Sequence, residues 1–216
     1  MIGERTFTEV ARGIFAAPLF SERETQAIVA IAERHRWRKA RVAAKEGHVV
    51  NRELRAAGVQ YGRDVPQLAA LLRRRVLAAT ESFSCRLAPT VATLDGLQLI
   101  RYRPGGFYNA HKDNPGGARD NQREITVVIY LNDDFRGGAT AFTRLDFAFT
   151  PRAGYVLLFP SGYKHKAEAV VEGTKYVIAA WYVSAPAQTS AVGDAGVSQP
   201  ADAIVRSRSS SSGNRA

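Results

Sequence analysis

The chain has 216 residues, 45% of them hydrophobic, and a formal net charge of +10. That is enough for one globular domain with a real core, while no apolar run approaches the roughly 20 residues a membrane helix needs. Cys85 is the only cysteine, which excludes an intrachain disulfide and cysteine-based zinc or iron–sulfur sites within one chain. With no hydrophobic segment in Met1–Arg5 to suggest a secretory signal, the expected setting is the reducing cytoplasm.

Along the chain, Pro18-Leu19-Phe20-Ser21 with Glu24 three residues on has the form of a capping box. The run Glu22–Arg36 then places Ile28, Ile31 and Ala32 on one helical face. Val42–Gly62 is polar and punctuated by glycine, which predicts a loop or short irregular strands. A second helix is expected over Val65–Ser84, with Leu68, Leu71, Leu72, Val76 and Ala79 at helical spacing. From Leu94 the pattern shortens. Leu97–Tyr102 predicts a strand stopped by Pro104-Gly105-Gly106, and Glu124–Leu131 a strand buried on both faces. Further strands are expected at Gly138–Thr143, Asp146–Thr150, Gly154–Phe159 and Lys175–Val183. Strands at this spacing after helices imply an α+β, mainly β chain: a jelly-roll or cupin-type barrel buttressed by N-terminal helices. The division expected is a helical part over about 1–93, a β core over about 94–186 and, after Pro186, a disordered Ser-, Ala- and Gly-rich tail at 187–216.

The basic residues cluster in Arg34–Lys39 and Arg73–Arg75, both in expected helices, where solvated basic faces are common. No zinc finger, helix-turn-helix signature or RNA-binding aromatic motif accompanies them, which argues against a nucleic-acid partner. An acidic small substrate or cosubstrate would also be drawn by such a field.

Chemistry concentrates at His111, Asp113 and His165, joined by Lys175. Two imidazoles and a carboxylate are the ligand set of the facial triad that holds non-haem Fe(II) with positions left open. His111 and Asp113 are two apart, so an extended strand sends both side chains from one face. A lone His-x-Asp occurs often by chance, and His35 and His48 are read as ordinary polar residues. His165, however, follows the turn Pro160-Ser161-Gly162 at a strand end, near a barrel mouth. Lys175 enters a strand that carries Val177, Ala179 and Trp181 to one side. A lysine pointing into a barrel needs an anion, and a dicarboxylate such as 2-oxoglutarate supplies one.

Tyr102-x-x-Gly105-x-x-Tyr108-x-x-His111-x-Asp113 matches a motif of the prolyl 4-hydroxylase-like Fe(II)/2-oxoglutarate dioxygenases. Arg123–Asn132, Gly137-Gly138-x-Thr140-x-Phe142, Pro151–Phe159 and His165 through Gly173-x-Lys175 to Trp181 resemble the later motifs of that family. The likeness runs from about Leu94 to Val183, and more loosely back to Phe15. It implies a double-stranded β-helix with Fe(II) on His111, Asp113 and His165 as the catalytic centre. It further implies that Lys175 takes the distal carboxylate of 2-oxoglutarate with the Tyr102 and Thr140 hydroxyls, that O2 is the second cosubstrate, and that ascorbate can serve as a reductant. Tyr108, Arg123 and Trp181 fall at positions that line the family's substrate side; packing or a surface ion pair would also account for them.

The chain departs from the family where peptide-acting members carry Arg-Thr-Ser-x-Gly in a lid. Here Arg55-Ala56-Ala57-Gly58 keeps the arginine and loses both hydroxyls, which weakens the peptide-prolyl expectation and leaves Arg55 to clamp a substrate carboxylate. Ala169 stands where relatives often have proline, a change expected to alter a turn only. The function expected is hydroxylation of an unactivated C–H on a small molecule or amino acid, with 2-oxoglutarate converted to succinate and CO2. The alternatives are a peptidyl-prolyl-type hydroxylase and, ranked lower, a nucleic-acid demethylase or a non-catalytic cupin-like module. An intact Asp113 favours hydroxylation over halogenation and leaves desaturation or cyclisation open. Neither the substrate, the regiochemistry nor the oligomeric state is legible in these residues.

Overall fold

In the computed structural model, residues 6–44, 47–114 and 123–184 are described; the tail at 187–216 lies outside them. Their order begins with the strands β1 (Thr8–Ala11) and β2 (Ile14–Pro18), the helix α1 (Glu22–Glu33), and the strands β3 (Arg38–Lys39), β4 (Val42–Ala44), β5 (Gly47–Val49), β6 (Arg55–Ala56) and β7 (Gly58–Tyr61). The helix α2 (Pro66–Leu87) leads into β8 (Val91–Tyr102), β9 (Phe107–His111), β10 (Arg123–Tyr130), β11 (Arg136–Gly137) and β12 (Thr140–Phe142). The chain closes with β13 (Phe147–Phe149), β14 (Tyr155–Pro160), β15 (His165–Ala167), β16 (Val170–Glu172) and β17 (Lys175–Ser184).

Both helices start where their sequences say. The Ser21 hydroxyl accepts from the Glu24 backbone N–H at 3.4 Å while Glu24 Oε2 accepts from the Ser21 N–H at 2.8 Å, closing the capping box. α2 begins with Pro66 at its first turn, where a missing N–H leaves no gap in the ladder. The end of α1 differs from expectation: it stops at Glu33 instead of Arg36. The Gln60 amide, from β7, donates to the Ala32 and His35 carbonyls at 2.8 and 3.1 Å. A residue far along the chain thus caps the helix and frees it to turn into β3, which pairs with β7.

An eight-stranded antiparallel sheet runs in the order β1-β2-β14-β10-β17-β8-β7-β3, and a five-stranded one in the order β13-β12-β15-β9-β6. The pairs β11–β16 and β4–β5 stand apart. The helices buttress the large sheet as expected, but the N-terminal part is more than helical. β1 and β2 extend that sheet beside β14, and β3 and β7 extend it beside β8, so residue 94 marks no architectural boundary.

Period-two alternation divides the large sheet into two faces. On one, Ile125, Val127 and Ile129 of β10 and Ile178, Ala180 and Tyr182 of β17 pack with Ile28, Leu68, Leu72 and Val76 of the helices. Each fully buried aliphatic chain there contributes about 1.5–3 kcal/mol as an upper estimate. On the other, Tyr130 of β10 and Val177, Ala179 and Trp181 of β17 join Phe142, Phe149 and Phe159 inside the double-stranded β-helix. Thr126 and Lys175 share that inward face and are buried.

Candidate active site

Between the sheets lies a cleft of about 730 Å³ whose walls include all ten residues singled out from the sequence. His111 ends β9 and His165 begins β15, and the two face each other in antiparallel register. Asp113 follows His111 by two residues, its N–H donating to the Ser161 carbonyl at 3.1 Å. One ligand atom from each of the three residues lies within 4.8 Å of the others. The Nε2 atoms of His111 and His165 each stand 3.6 Å from an Asp113 carboxylate oxygen.

Both rings are oriented by carbonyls two residues back along the chain. His111 Nδ1 sits 2.8 Å from the Asn109 carbonyl and His165 Nδ1 3.0 Å from the Tyr163 carbonyl. A carbonyl only accepts, so each Nδ1 carries the proton and each Nε2 lone pair faces the gap. Asp113 Oδ2 accepts from the Thr126 hydroxyl at 2.8 Å. With its proton committed, Thr126 accepts in turn from Ser161 Oγ at 2.9 Å. Burial pushes the Asp113 carboxyl up, but His111, His165 and the Trp181 indole outweigh it and hold the group well below the usual carboxylate range. The His165 ring is held low, first by its burial. A carboxylate beside two imidazoles is a donor set that suits a divalent metal.

Deeper in the cleft, Lys175 is 2% exposed and makes no ion pair among the described residues. Its Nζ donates to the Gly138 carbonyl and lies 5.5 and 5.4 Å from the Tyr102 and Tyr130 ring centres. Burial pushes its pKa down to about 7, with Glu168 pulling the other way. Lys175 pairs with Tyr102 across β17 and β8, and Tyr130 donates to Thr140 Oγ1 at 2.8 Å. Gly138 stands at φ +67°, and a Cβ there would approach the Lys175 stem to 3.2 Å. The result is one cation and three hydroxyls around a buried space.

Nearer the surface, Tyr108 stacks on His111 with centroids 3.6 Å apart, and the Arg55 guanidinium lies 4.6 Å from the Tyr108 ring centre. Arg123 lies 3.7 Å from the Trp181 ring centre. Gly96, in β8 at φ +67°, lets that indole lie against the backbone: a Cβ would sit 2.6 Å from Trp181 Cε3. Burial raises the Tyr108 and Tyr102 phenols, while Arg55 opposes it at both and Arg123 at Tyr108.

Three participants escaped the sequence reading. Thr126 and Tyr130 lie inside a run apolar on both faces, where their alternation with Val127 and Ile129 carries little contrast. Ser161 was seen only as part of a turn. His48, read as an ordinary polar residue, lines the cleft beside Arg41 and Val42.

The profile of the 2OG-Fe(II) oxygenase superfamily matches residues 97–183. A putative prolyl 4-hydroxylase of Acanthamoeba polyphaga mimivirus is 32% identical over 107 residues, 41% of this chain and 44% of the relative. A PKHD-type hydroxylase of Crocosphaera subtropica is 24% identical over 128 residues, 56% of this chain and 58% of the relative. The chain thus spans about half the length of these curated relatives. Among solved structures, a Trichoplax adhaerens prolyl hydroxylase in complex with a hypoxia inducible factor peptide fragment superposes with a TM-score of 0.63 at 22% identity, covering 80% of this chain and 84% of that one. A Pseudomonas putida prolyl-4-hydroxylase gives a TM-score of 0.57 at 20% identity, covering 79% and 92%. These likenesses establish the double-stranded β-helix fold. In addition, no described helix is long and apolar enough to cross a membrane.

Proposed function

From the match of residues 97–183 to the 2OG-Fe(II) oxygenase superfamily, we propose that this protein is an Fe(II)- and 2-oxoglutarate-dependent hydroxylase of a small molecule or amino acid. The observation that carries the reading is the shared cleft: a ready ligand trio at one level and a buried, unpaired ammonium below it. His111, Asp113 and His165 would hold the metal, and Lys175 the distal carboxylate of the cosubstrate, with the Tyr102, Tyr130 and Thr140 hydroxyls completing its hydrogen bonds. When bound, iron and 2-oxoglutarate supply activation of O2, release succinate and CO2, and place an oxygen on an unactivated C–H.

The protein's own part is orientation and exclusion of water. Thr126 and Ser161 fix the Asp113 carboxylate, and the backbone-tied rings fix both Nε2 lone pairs. Phe159 and Phe142 pack against the His165 ring and keep that side dry. Arg55, Tyr108, Arg123 and Trp181 form the substrate wall. A peptidyl-prolyl hydroxylase is the second reading; the peptide held by the Trichoplax neighbour favours it. The loss of both hydroxyls beside Arg55 tilts the choice toward a small substrate.

Anaerobic addition of Fe(II) and 2-oxoglutarate is expected to produce a metal-to-ligand charge-transfer absorption band that is absent in His165→Ala. A wild-type protein without the band overturns the reading. Succinate formation screened over free amino acids and proline-containing peptides then decides between the two substrate classes.

A further inference from the structure

The cleft holds more positive charge than 2-oxoglutarate and the metal ligands use. Besides Lys175 and Asp113, its described walls carry six Lys or Arg side chains against one carboxylate, Asp95. Several of the six are already engaged. Arg41 donates to the His48 carbonyl, Arg63 lies over the Tyr61 ring, and Lys166 pairs with Glu168 at 3.1 Å. Arg55 and Arg123 are the two whose guanidinium groups lie over rings of the substrate wall, Tyr108 and Trp181.

Arg55 is 9% exposed, and its buried Nε has no hydrogen-bond partner. Its NH1 donates to the Arg41 carbonyl at 3.2 Å and the guanidinium also bonds the Tyr102 hydroxyl, which leaves Nε as the atom without an acceptor among the described residues. The guanidinium plane is set by Tyr108, which is itself stacked on His111. Arg123 is likewise fixed on an aromatic platform, Trp181, and makes no ion pair among the described residues. Trp181 is the register partner of Thr126, the residue that holds Asp113. One guanidinium therefore flanks the metal trio on the His111 side and the other on the Asp113 side.

A buried guanidinium edge without an acceptor is a standing desolvation cost unless a ligand relieves it. The ligand that matches a rigid planar fork is a carboxylate, which accepts two parallel N–H bonds. We propose that the primary substrate carries a carboxylate, received between Arg55 and Arg123 at the rim of the cleft. This rests on the hydroxylase reading and adds the substrate's charge to it. The carboxylate would anchor the molecule beside the trio, with a neighbouring C–H turned toward it. A primary amide of the same shape offers only one acceptor oxygen and turns its NH2 donor toward the second guanidinium N–H, and it is disfavoured for that reason.

The test uses the full chain, loaded anaerobically with Fe(II) and saturating 2-oxoglutarate, and titrated with free amino acids and their primary amides. Substrate binding is read from the shift of the charge-transfer band, and turnover from succinate released in air. At least one acid is expected to bind roughly tenfold or more tighter than its amide. Arg123→Gln abolishes that preference and leaves half-saturation by 2-oxoglutarate unchanged; Arg55→Gln abolishes it too, and Arg55→Lys restores part of it. The band in each variant certifies an intact site. The same acid and amide pair built on a proline-containing tripeptide tells whether the carboxylate belongs to a free amino acid or a peptide end. Equal binding of acids and amides throughout, or variants that weaken 2-oxoglutarate instead, overturns the assignment. A wild type with no band overturns the hydroxylase reading as well.

Discussion

The two faces of β10 and β17 are built from the same two stretches of chain yet obey different rules. Facing the helices, Ile125, Val127, Ile129, Ile178, Ala180 and Tyr182 fill a close-packed apolar core. Facing the cleft, Thr126, Lys175 and Trp181 surround space, and Lys175 is a cation with no ion pair among the described residues. The first face lowers the free energy of folding and the second raises it. Side-chain alternation lets one strand do both, because each residue's neighbours on its own face are two positions away.

If this division is right, substitutions on one face change stability and those on the other change ligand binding. Leu72→Ala, in the helix layer behind the large sheet, is expected to destabilise by about 2–5 kcal/mol in denaturant titration. Metal and 2-oxoglutarate affinity below the melting range should be unchanged; a weakened metal site would break the division. Thr126→Val removes the donor to Asp113 Oδ2 without changing side-chain shape much. It should lower Fe(II) affinity by roughly 10–100-fold in a chelator competition while stability stays close to wild type.

Lys175 sharpens the contrast further. Its pKa is lowered to about 7 in the folded chain from the usual 10.5. Between those values the unfolded chain binds more protons, so for this group stability of the ligand-free protein rises with pH across that window and is flat below it. Lys175→Met should remove that slope and stabilise the ligand-free protein by on the order of 1 kcal/mol, while 2-oxoglutarate binding is lost. In the wild type near pH 8, an anion that keeps the lysine charged draws in a proton, visible as a buffer-dependent heat of binding. The smallest effect is at the edge of the helix layer. Ser21→Ala opens the capping box and should cost about 1 kcal/mol with no change at the cleft.

What could be read in advance follows from range. The capping box of Ser21 and Glu24, the first turn of α2 and the alternation of Lys175–Val183 are decided within a few residues. The ligand trio was visible because its spacing suits a strand and because its surrounding motifs are specific. What escaped depends on partners far away. The β1–β2 hairpin has little local signal and is held by pairing such as Leu157 with Ala16. The end of α1 is set by Gln60. β9 and β15 are five and three residues long, and each is a strand because the other lies beside it. Thr126 and Tyr130 were hidden by a run apolar on both faces, where alternation carries little contrast.

His111 and His165 each lean on the carbonyl two residues back along the chain. Ring orientation is thus stored in the local chain and does not wait for a cation to impose it. The ordering entropy of the donor set is spent during folding, and little remains to be lost when a metal arrives. A site of this kind would release and recapture an ion without remodelling, and exchange of one divalent metal for another would then be governed by ion chemistry and supply, with the polypeptide a fixed mould.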